Sequence, residues 1–324
     1  MEKIYESTEL AYAKVNLGLQ VCGRRADGYH LLRTVMQTIS IADRMTLSCW
    51  RGMMDGSVPP IRLRVTDTAS STVIPLDQKN TVYRAVQRFM DMTGIRDVTV
   101  DIEIEKNIPS EAGLGGASTD AALTLRMLDR VFPNLITEEQ YMDIAAGIGA
   151  DVPFFLRGGT CLCEGIGEIL TELPSFSFLP VLLVKPPVGI PTPWAFKRFD
   201  EMADGGTSSE SGERAAQRSR KEILSVFDGR IESLREHRTS LRNDLELVAR
   251  EAHPIIGEIC DFMETNGAVY ASMSGSGSCV FGMFADENQR DTAKKKAEEI
   301  YPSAFYIESC CFVEAELNRR DRPS

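Results

Sequence analysis

Apolar and polar positions alternate strictly from Ala11 to Val21. Ala11, Ala13, Val15, Leu17, Leu19 and Val21 share one face, and Tyr12, Lys14, Asn16, Gly18 and Gln20 share the other. A period of two predicts a β-strand whose apolar face lies on a core. The other face then carries an ammonium and an amide about 7 Å apart, at ~3.4 Å per residue. On its own, that spacing reads most simply as a Lys and an Asn facing solvent. Val98, Val100, Ile102 and Ile104 alternate in the same way with Thr99, Asp101, Glu103 and Glu105, which predicts a second half-buried strand. Shorter apolar runs predict strands at 36–41, 45–49, 61–65, 180–185, 268–273 and 279–284.

Helical spacing takes over between these runs. Val82, Ala85, Val86, Phe89 and Met90 form one stripe over 80–93, with Gly94 placed to end it. Residues 117–130 repeat the pattern with Ala121, Leu125 and Leu128. Thr137 and Gln140 are spaced as a capping box opening a helix to about 146. Residues 244–266, interrupted by Pro254, and 286–301 complete the predicted helices. Strands come in runs rather than in strict alternation with helices, so the fold class is α+β. A length of 324 residues favours two domains, assigned to 1–164 and 165–324. The small, polar stretch within 201–220, centred on Gly205–Gly206 and Ser208–Ser209, predicts a mobile insertion.

Charge narrows the function. Lys and Arg number 36 against 47 Asp and Glu, a net charge of −11, and no basic patch stands out. Such a surface repels nucleic-acid phosphates and anionic lipid. No run approaches the ~20 apolar residues of a membrane span. The first residues, Met1 to Glu6, lack a basic-then-apolar leader. The expectation is a cytoplasmic protein with no nucleic-acid or membrane partner. Its eight cysteines show no C-x-x-C spacing and read as reduced thiols. Cys161 and Cys163 would share a strand face, but no second pair at ligand spacing lies nearby.

Three segments could carry chemistry. Pro109 to Asp120 (Pro-Ser-Glu-Ala-Gly-Leu-Gly-Gly-Ala-Ser-Thr-Asp) lies between a strand and a helix. Its glycines at 113, 115 and 116 permit close backbone approach, and the helix start presents free N–H groups to an anion. A phosphate cradle and a plain glycine turn into a helix both fit. The segment is neither a Walker A loop nor a dinucleotide fingerprint, since no Gly-Lys-Ser/Thr follows and Ser118 takes the last glycine position. Asp151 follows a glycine-terminated helix and precedes an apolar run. Its carboxylate could act as a base or cation partner, although an Asp so placed more often binds nearby backbone N–H groups. Asp27-Gly28-Tyr29-His30 reads by itself as a turn with a partly exposed aromatic.

The order of the motifs says more than each one does. Ala13-Lys14-Val15-Asn16-Leu17, then Gly23 through Asp27-Gly-Tyr-His30, then Gly113-Leu-Gly-Gly-Ala-Ser118, then Gly149-Ala-Asp151-Val-Pro153 are followed by Ile190-Pro-Thr-Pro-Trp-Ala-Phe196, Arg242-Asn-Asp244 and Ser274-Gly-Ser-Gly-Ser278. This arrangement, from about Ala11 to Phe284, closely resembles the GHMP kinase superfamily of galacto-, homoserine, mevalonate and phosphomevalonate kinases. The Lys-Val-Asn, Asp-Gly-Tyr-His and Ile-Pro-Thr-Pro pieces are similar to the branch acting on a cytidine-diphosphate conjugate of methylerythritol in non-mevalonate isoprenoid synthesis.

The resemblance implies an N-terminal mixed β/α ATP-binding domain and a C-terminal α/β sandwich-like domain. It implies phosphoryl transfer from ATP to the tertiary 2-hydroxyl of the erythritol. Asp151 matches the family's catalytic aspartate, which takes the hydroxyl proton, and Lys14 the lysine paired with it. An adjacent ammonium favours the ionised carboxylate and offsets charge in the transfer. Pro109, Gly113, Leu114, Gly115, Gly116, Ala117 and Ser118 would hold the ATP phosphates, with Asn80 and Lys106 near the adenine. Asn16, Tyr29, His30, Thr192, Pro193 and Phe196 would line the substrate site, with His30 and Tyr29 addressing the cytosine and Phe196 stacking on its other side. Mg²⁺ is expected with ATP, without an assignable protein ligand. Ala117 stands where the family often has a third consecutive glycine, and Trp194 where a small aliphatic residue is expected. Another GHMP kinase, or a non-catalytic nucleotide-binding regulator, is the alternative. An intact Lys14, Asp151 and glycine loop argues against the second.

Overall fold

The computed structural model describes residues 1–52, 60–67, 74–176, 178–204, 220–227, 231–236 and 238–314. Two long strands organise it. β1 (Glu2–Arg24) and β2 (His30–Arg51) pair antiparallel along their whole length, through several register shifts. The two halves of β2 have different second neighbours. Arg44–Arg51 pairs with β4 (Val98–Lys106), and Leu32–Gln37 pairs with β5 (Thr160–Gly165). β3 (Ile61–Asp67) lies parallel to β4, and β6 (Ile169–Glu172) closes the other side against β5. The runs at 36–41 and 45–49, predicted as separate strands, are therefore one strand. What breaks the apolar pattern between them is Asp43, which is fully buried and satisfied by Lys106 and by the backbone N–H groups of Asn107 and Ile108.

α1 (Thr81–Thr93), α2 (Gly116–Val131), α3 (Glu138–Ile148) and α4 (Val152–Arg157) share one core with this sheet. Val82, Ala85, Val86, Phe89 and Met90 of α1 are all buried there, as their spacing predicts. Gly94 ends α1 in the left-handed region at φ 73°. The capping box at Thr137 and Gln140 is formed. Burial of such stripes is worth roughly 1.5–3 kcal/mol per large side chain, so tertiary packing rather than helix propensity holds these elements.

The second sheet is antiparallel in the order β10 (Tyr306–Cys311), β7 (Pro180–Lys185), β9 (Val280–Met283), β8 (Tyr270–Met273). Leu182, Val184 and Val280 pack with α8 (Asp244–Ala252), α9 (Ile255–Thr265) and α10 (Glu287–Ile300). Pro254 separates α8 from α9, as a residue without an N–H should. Val181, Leu183 and Phe281 pack with Ala13, Val15 and Leu17 of β1. Residues 13–20 of β1 are thus buried on both sides, and a bridge between Leu19 and Asn243 ties the strand to the second layer. α5 (Thr192–Asp204), α6 (220–226) and α7 (Ile231–Glu236) lie between β7 and α8 in the chain. Of the predicted polar insertion at 201–220, residues 205–219 lie outside the described residues.

Candidate active site

Lys14 and Asn16 do not face solvent. They are 3% and 2% exposed. The polar face of β1 is covered by the glycine-rich loop on one side and the Ser274–Ser278 loop on the other, a contact between distant segments that local alternation cannot reveal. Lys14 Nζ donates to Gly113 O at 2.7 Å and to Asn16 Oδ1, and lies 3.5 Å from Asp151 Oδ2. Asn16 Nδ2 donates to Thr34 Oγ1 at 2.7 Å, and Thr34 Oγ1 donates to Gly18 O at 2.7 Å. The backbone N–H of Asn16 donates to Ser274 Oγ (3.1 Å), which in turn donates to Gly113 O (2.8 Å). An ammonium so fully engaged has little rotamer freedom left to lose when substrate arrives.

Asp151 stands at the N-cap of α4, yet its side chain makes no capping bond. The commoner fate of such an Asp, a carboxylate occupied by backbone N–H groups, is not realised. Its side chain is 30% exposed and faces the cleft with Lys14 as its ionic partner.

The glycine loop is fastened to the second domain. Cys279 N–H donates to Ala112 O at 3.2 Å and Ser278 N–H to Glu111 O at 3.3 Å. Gly113 and Gly115 both adopt left-handed backbone, at φ 73° and 75°. Gly115 caps α2 and its carbonyl takes the N–H groups of Ser118 and Thr119, which leaves those of Gly116 and Ala117, both lining the cleft, without intrahelical acceptors and suited to an anion. This geometry leaves room for the phosphate cradle that the sequence suggested.

Beneath the loop Lys106 is clamped by two carboxylates, Asp43 and Asp120, the latter at 2.7 Å. Asn80 spends both ends of its amide locally, accepting from Val82 N–H and donating to Pro75 O. Burial pushes the Asp120 carboxyl up to about 7, against the pull of Lys106 and with the help of Asp43. A carboxyl raised on folding adds stability below its unfolded value of 3.8, and that stability is lost as pH rises through about 7. Urea midpoints measured from pH 4 to 8 should therefore fall more steeply with pH in the wild type than in Asp120→Asn. Equal slopes would refute the assignment.

At the far end of the cleft, His30 and Phe196 stack with ring centroids 4.6 Å apart and planes 16° apart. No base-sized gap separates the two rings, so a planar group held between His30 and Phe196, as the sequence resemblance implied, is not accommodated in this structure. Tyr29 is 61% exposed beside them, on the expected turn. Thr192 Oγ1 lies 2.8 Å from Ser276 Oγ, joining the start of α5 to the Ser274–Ser278 loop. The residues that the sequence resemblance assigned to the site, Lys14, Asn16, Tyr29, His30, Asn80, Lys106, Pro109, Gly113 to Ser118, Asp151, Thr192, Pro193 and Phe196, all line one cleft of about 1390 Å³.

Comparison with known proteins identifies the family. Residues 80–159 match the GHMP kinases N terminal domain, and residues 219–303 match the GHMP kinases C terminal domain. A 4-diphosphocytidyl-2-C-methyl-D-erythritol kinase of Clostridium beijerinckii is 35% identical over 304 residues, covering 90% of this chain and 97% of the relative. The chain belongs to the 4-diphosphocytidyl-2-C-methyl-D-erythritol kinase family. A crystal structure of a 4-(cytidine 5'-diphospho)-2C-methyl-D-erythritol kinase superposes with a TM-score of 0.69 at 28% identity, covering 94% of this chain and 99% of that one. A homoserine kinase from Cytophaga hutchinsonii reaches 0.71 at 18% identity over 96% of each chain, which shows the shared fold alone. This member of the family is thus an ATP-using kinase with the two-domain GHMP architecture.

Several residues that shape the kinase cleft escaped the sequence reading. Asp43 and Thr34 act through contacts to segments far away in the chain, and no local pattern marks them, while Ser274 stood in the Ser-Gly-Ser-Gly-Ser motif without an assigned role. Asp120 and Asp200 were reachable. Asp120 lies one helical turn beyond Gly116, and Asp200 one turn beyond Phe196, a spacing that puts each pair on one helix face. No helix among the described residues is long and apolar enough to cross a membrane.

Proposed function

We propose that this chain transfers the γ-phosphoryl group of ATP to the 2-hydroxyl of 4-diphosphocytidyl-2-C-methyl-D-erythritol, giving the 2-phosphate used in non-mevalonate isoprenoid synthesis. The observation carrying this reading is the Lys14–Asp151 pair, placed in one cleft between a left-handed glycine loop and the aromatic group on α5. Asp151 takes the proton of the attacking hydroxyl. Lys14, held by Gly113 O and Asn16, offsets the negative charge that develops beside it. The α2 N-terminus and the loop from Gly113 to Ser118 hold the phosphates, and Pro109, Asn80 and Lys106 form the wall toward the adenine. Asn16, Thr192 and Pro193 border the acceptor, and Tyr29, His30 and Phe196 receive its cytosine.

Mg²⁺ accompanies the nucleotide. Among the described residues no three His, Cys, Asp or Glu side chains converge as a metal cluster, which fits a cation held mainly by phosphate and water. On α2, Ser118 and Asp120 line the cleft, and among the described residues the buried Asp120 Oδ1 has no hydrogen-bond partner. When bound, the ion would neutralise phosphate charge. Residues 1–164 form the nucleotide-binding domain in this reading and 165–324 the domain completing the acceptor site, except that β6 of the second stretch adds to the first domain's sheet. The eight free cysteines suit a reducing, cytoplasmic setting.

Turnover of ATP should occur with 4-diphosphocytidyl-2-C-methyl-D-erythritol and not with homoserine, mevalonate or galactose in a parallel assay. Turnover with one of the smaller alcohols instead would keep the catalytic pair and remove the nucleotide-binding role of Tyr29, His30 and Phe196.

A further inference from the structure

His30 is held from two directions by one helix. Phe196 of α5 stacks on its ring, and Asp200, one turn further along α5, places Oδ1 2.8 Å from His30 Nε2. Arg24 lies 3.4 Å from the other carboxylate oxygen, which leaves Oδ1 to the imidazole. A carboxylate only accepts hydrogen bonds, so the proton of a neutral ring sits on Nε2 and the lone pair on Nδ1. Among the described residues Nδ1 has no hydrogen-bond partner, while His30 lines the cleft.

We propose that Asp200 is a positioning residue which, by fixing this tautomer, makes His30 a hydrogen-bond acceptor toward the base and selects a 4-amino over a 4-oxo pyrimidine. The inference rests on the cytidine-diphosphate reading above. Cytosine presents an amino donor where uracil presents a carbonyl oxygen. A lone pair on Nδ1 pairs with the amino group, whereas against the carbonyl it faces another lone pair. A buried acceptor left unpaired discriminates far more strongly than a lost apolar contact. The stacked Phe196 keeps the ring from turning to present its other edge.

The test compares kcat/KM for the cytidine-diphosphate and uridine-diphosphate forms of methylerythritol in the wild type and in Asp200→Asn. The Asn amide can donate to Nε2 and so move the ring proton to Nδ1. The cytidine-over-uridine ratio should fall by about tenfold or more, with the loss appearing in the acceptor KM and the ATP KM unmoved. Nitrogen-15 NMR supplies a second readout that does not depend on turnover, since the chain has only three histidines to assign. The wild-type ring should be protonated on Nε2 and the Asp200→Asn ring on Nδ1. An unchanged ratio in the variant, or a neutral wild-type ring protonated on Nδ1, overturns the role of Asp200 alone. A wild type that fails to use the cytidine form overturns the functional reading, and this inference with it.

Discussion

Asp151→Asn should lower kcat by roughly 10²–10⁴-fold, the range for removing a positioned general base. The amide keeps the volume and can still accept a hydrogen bond from Lys14, so the KM values for ATP and acceptor should change little. The thermal midpoint should also hold, because Asp151 makes no capping bond whose loss would loosen α4. That split separates a base from a residue that only shapes the cleft. A variant with near-normal kcat, or one whose loss lies wholly in KM, would remove Asp151 from proton transfer and leave the rate to positioning and phosphate electrostatics.

Gly113→Ala should be the most damaging small substitution in the loop. The added methyl would sit 1.9 Å from Ser274 O, a backbone atom that cannot swing away. The left-handed φ of 73° adds its own strain. Together the two effects should cost about 2–4 kcal/mol. The damage should reach function as well, because Gly113 O holds both Lys14 and Ser274. A rise of about tenfold or more in the ATP KM is expected, each tenfold being ~1.4 kcal/mol of lost binding. Gly94→Ala is the matched control, with the same φ of 73° and nothing within 4 Å of the new methyl. It should cost only about 1 kcal/mol and leave ATP binding alone. Equal losses of stability in the two variants would mean that backbone strain, not the clash with Ser274, governs position 113.

Much of this protein can be read along the chain because its elements are locally consistent. The stripe from Val82 to Met90, the Thr137 capping box and the break at Pro254 each follow from rules operating within one or two turns. β2 shows where such rules stop. Asp43 looks like the end of one strand and the start of the next, and only its burial against Lys106 and the 107–108 backbone explains why the strand continues.

The cleft divides in the same way. Motif order in the sequence alone pointed to a GHMP kinase and to the residues that gather in one cleft, because glycine loops, a Lys two residues before an Asn and an Asp after a glycine pair are local patterns. What those groups do to one another was decided by tertiary structure. Lys14 is buried because loops from 113 and 274 close over β1, Asp151 meets Lys14 because its side chain does not cap α4, and His30 is oriented because α5 brings Phe196 and Asp200 to it. Periodicity records which face of an element is apolar. Only the packing of distant segments determines whether the polar face meets water, another charge or a substrate.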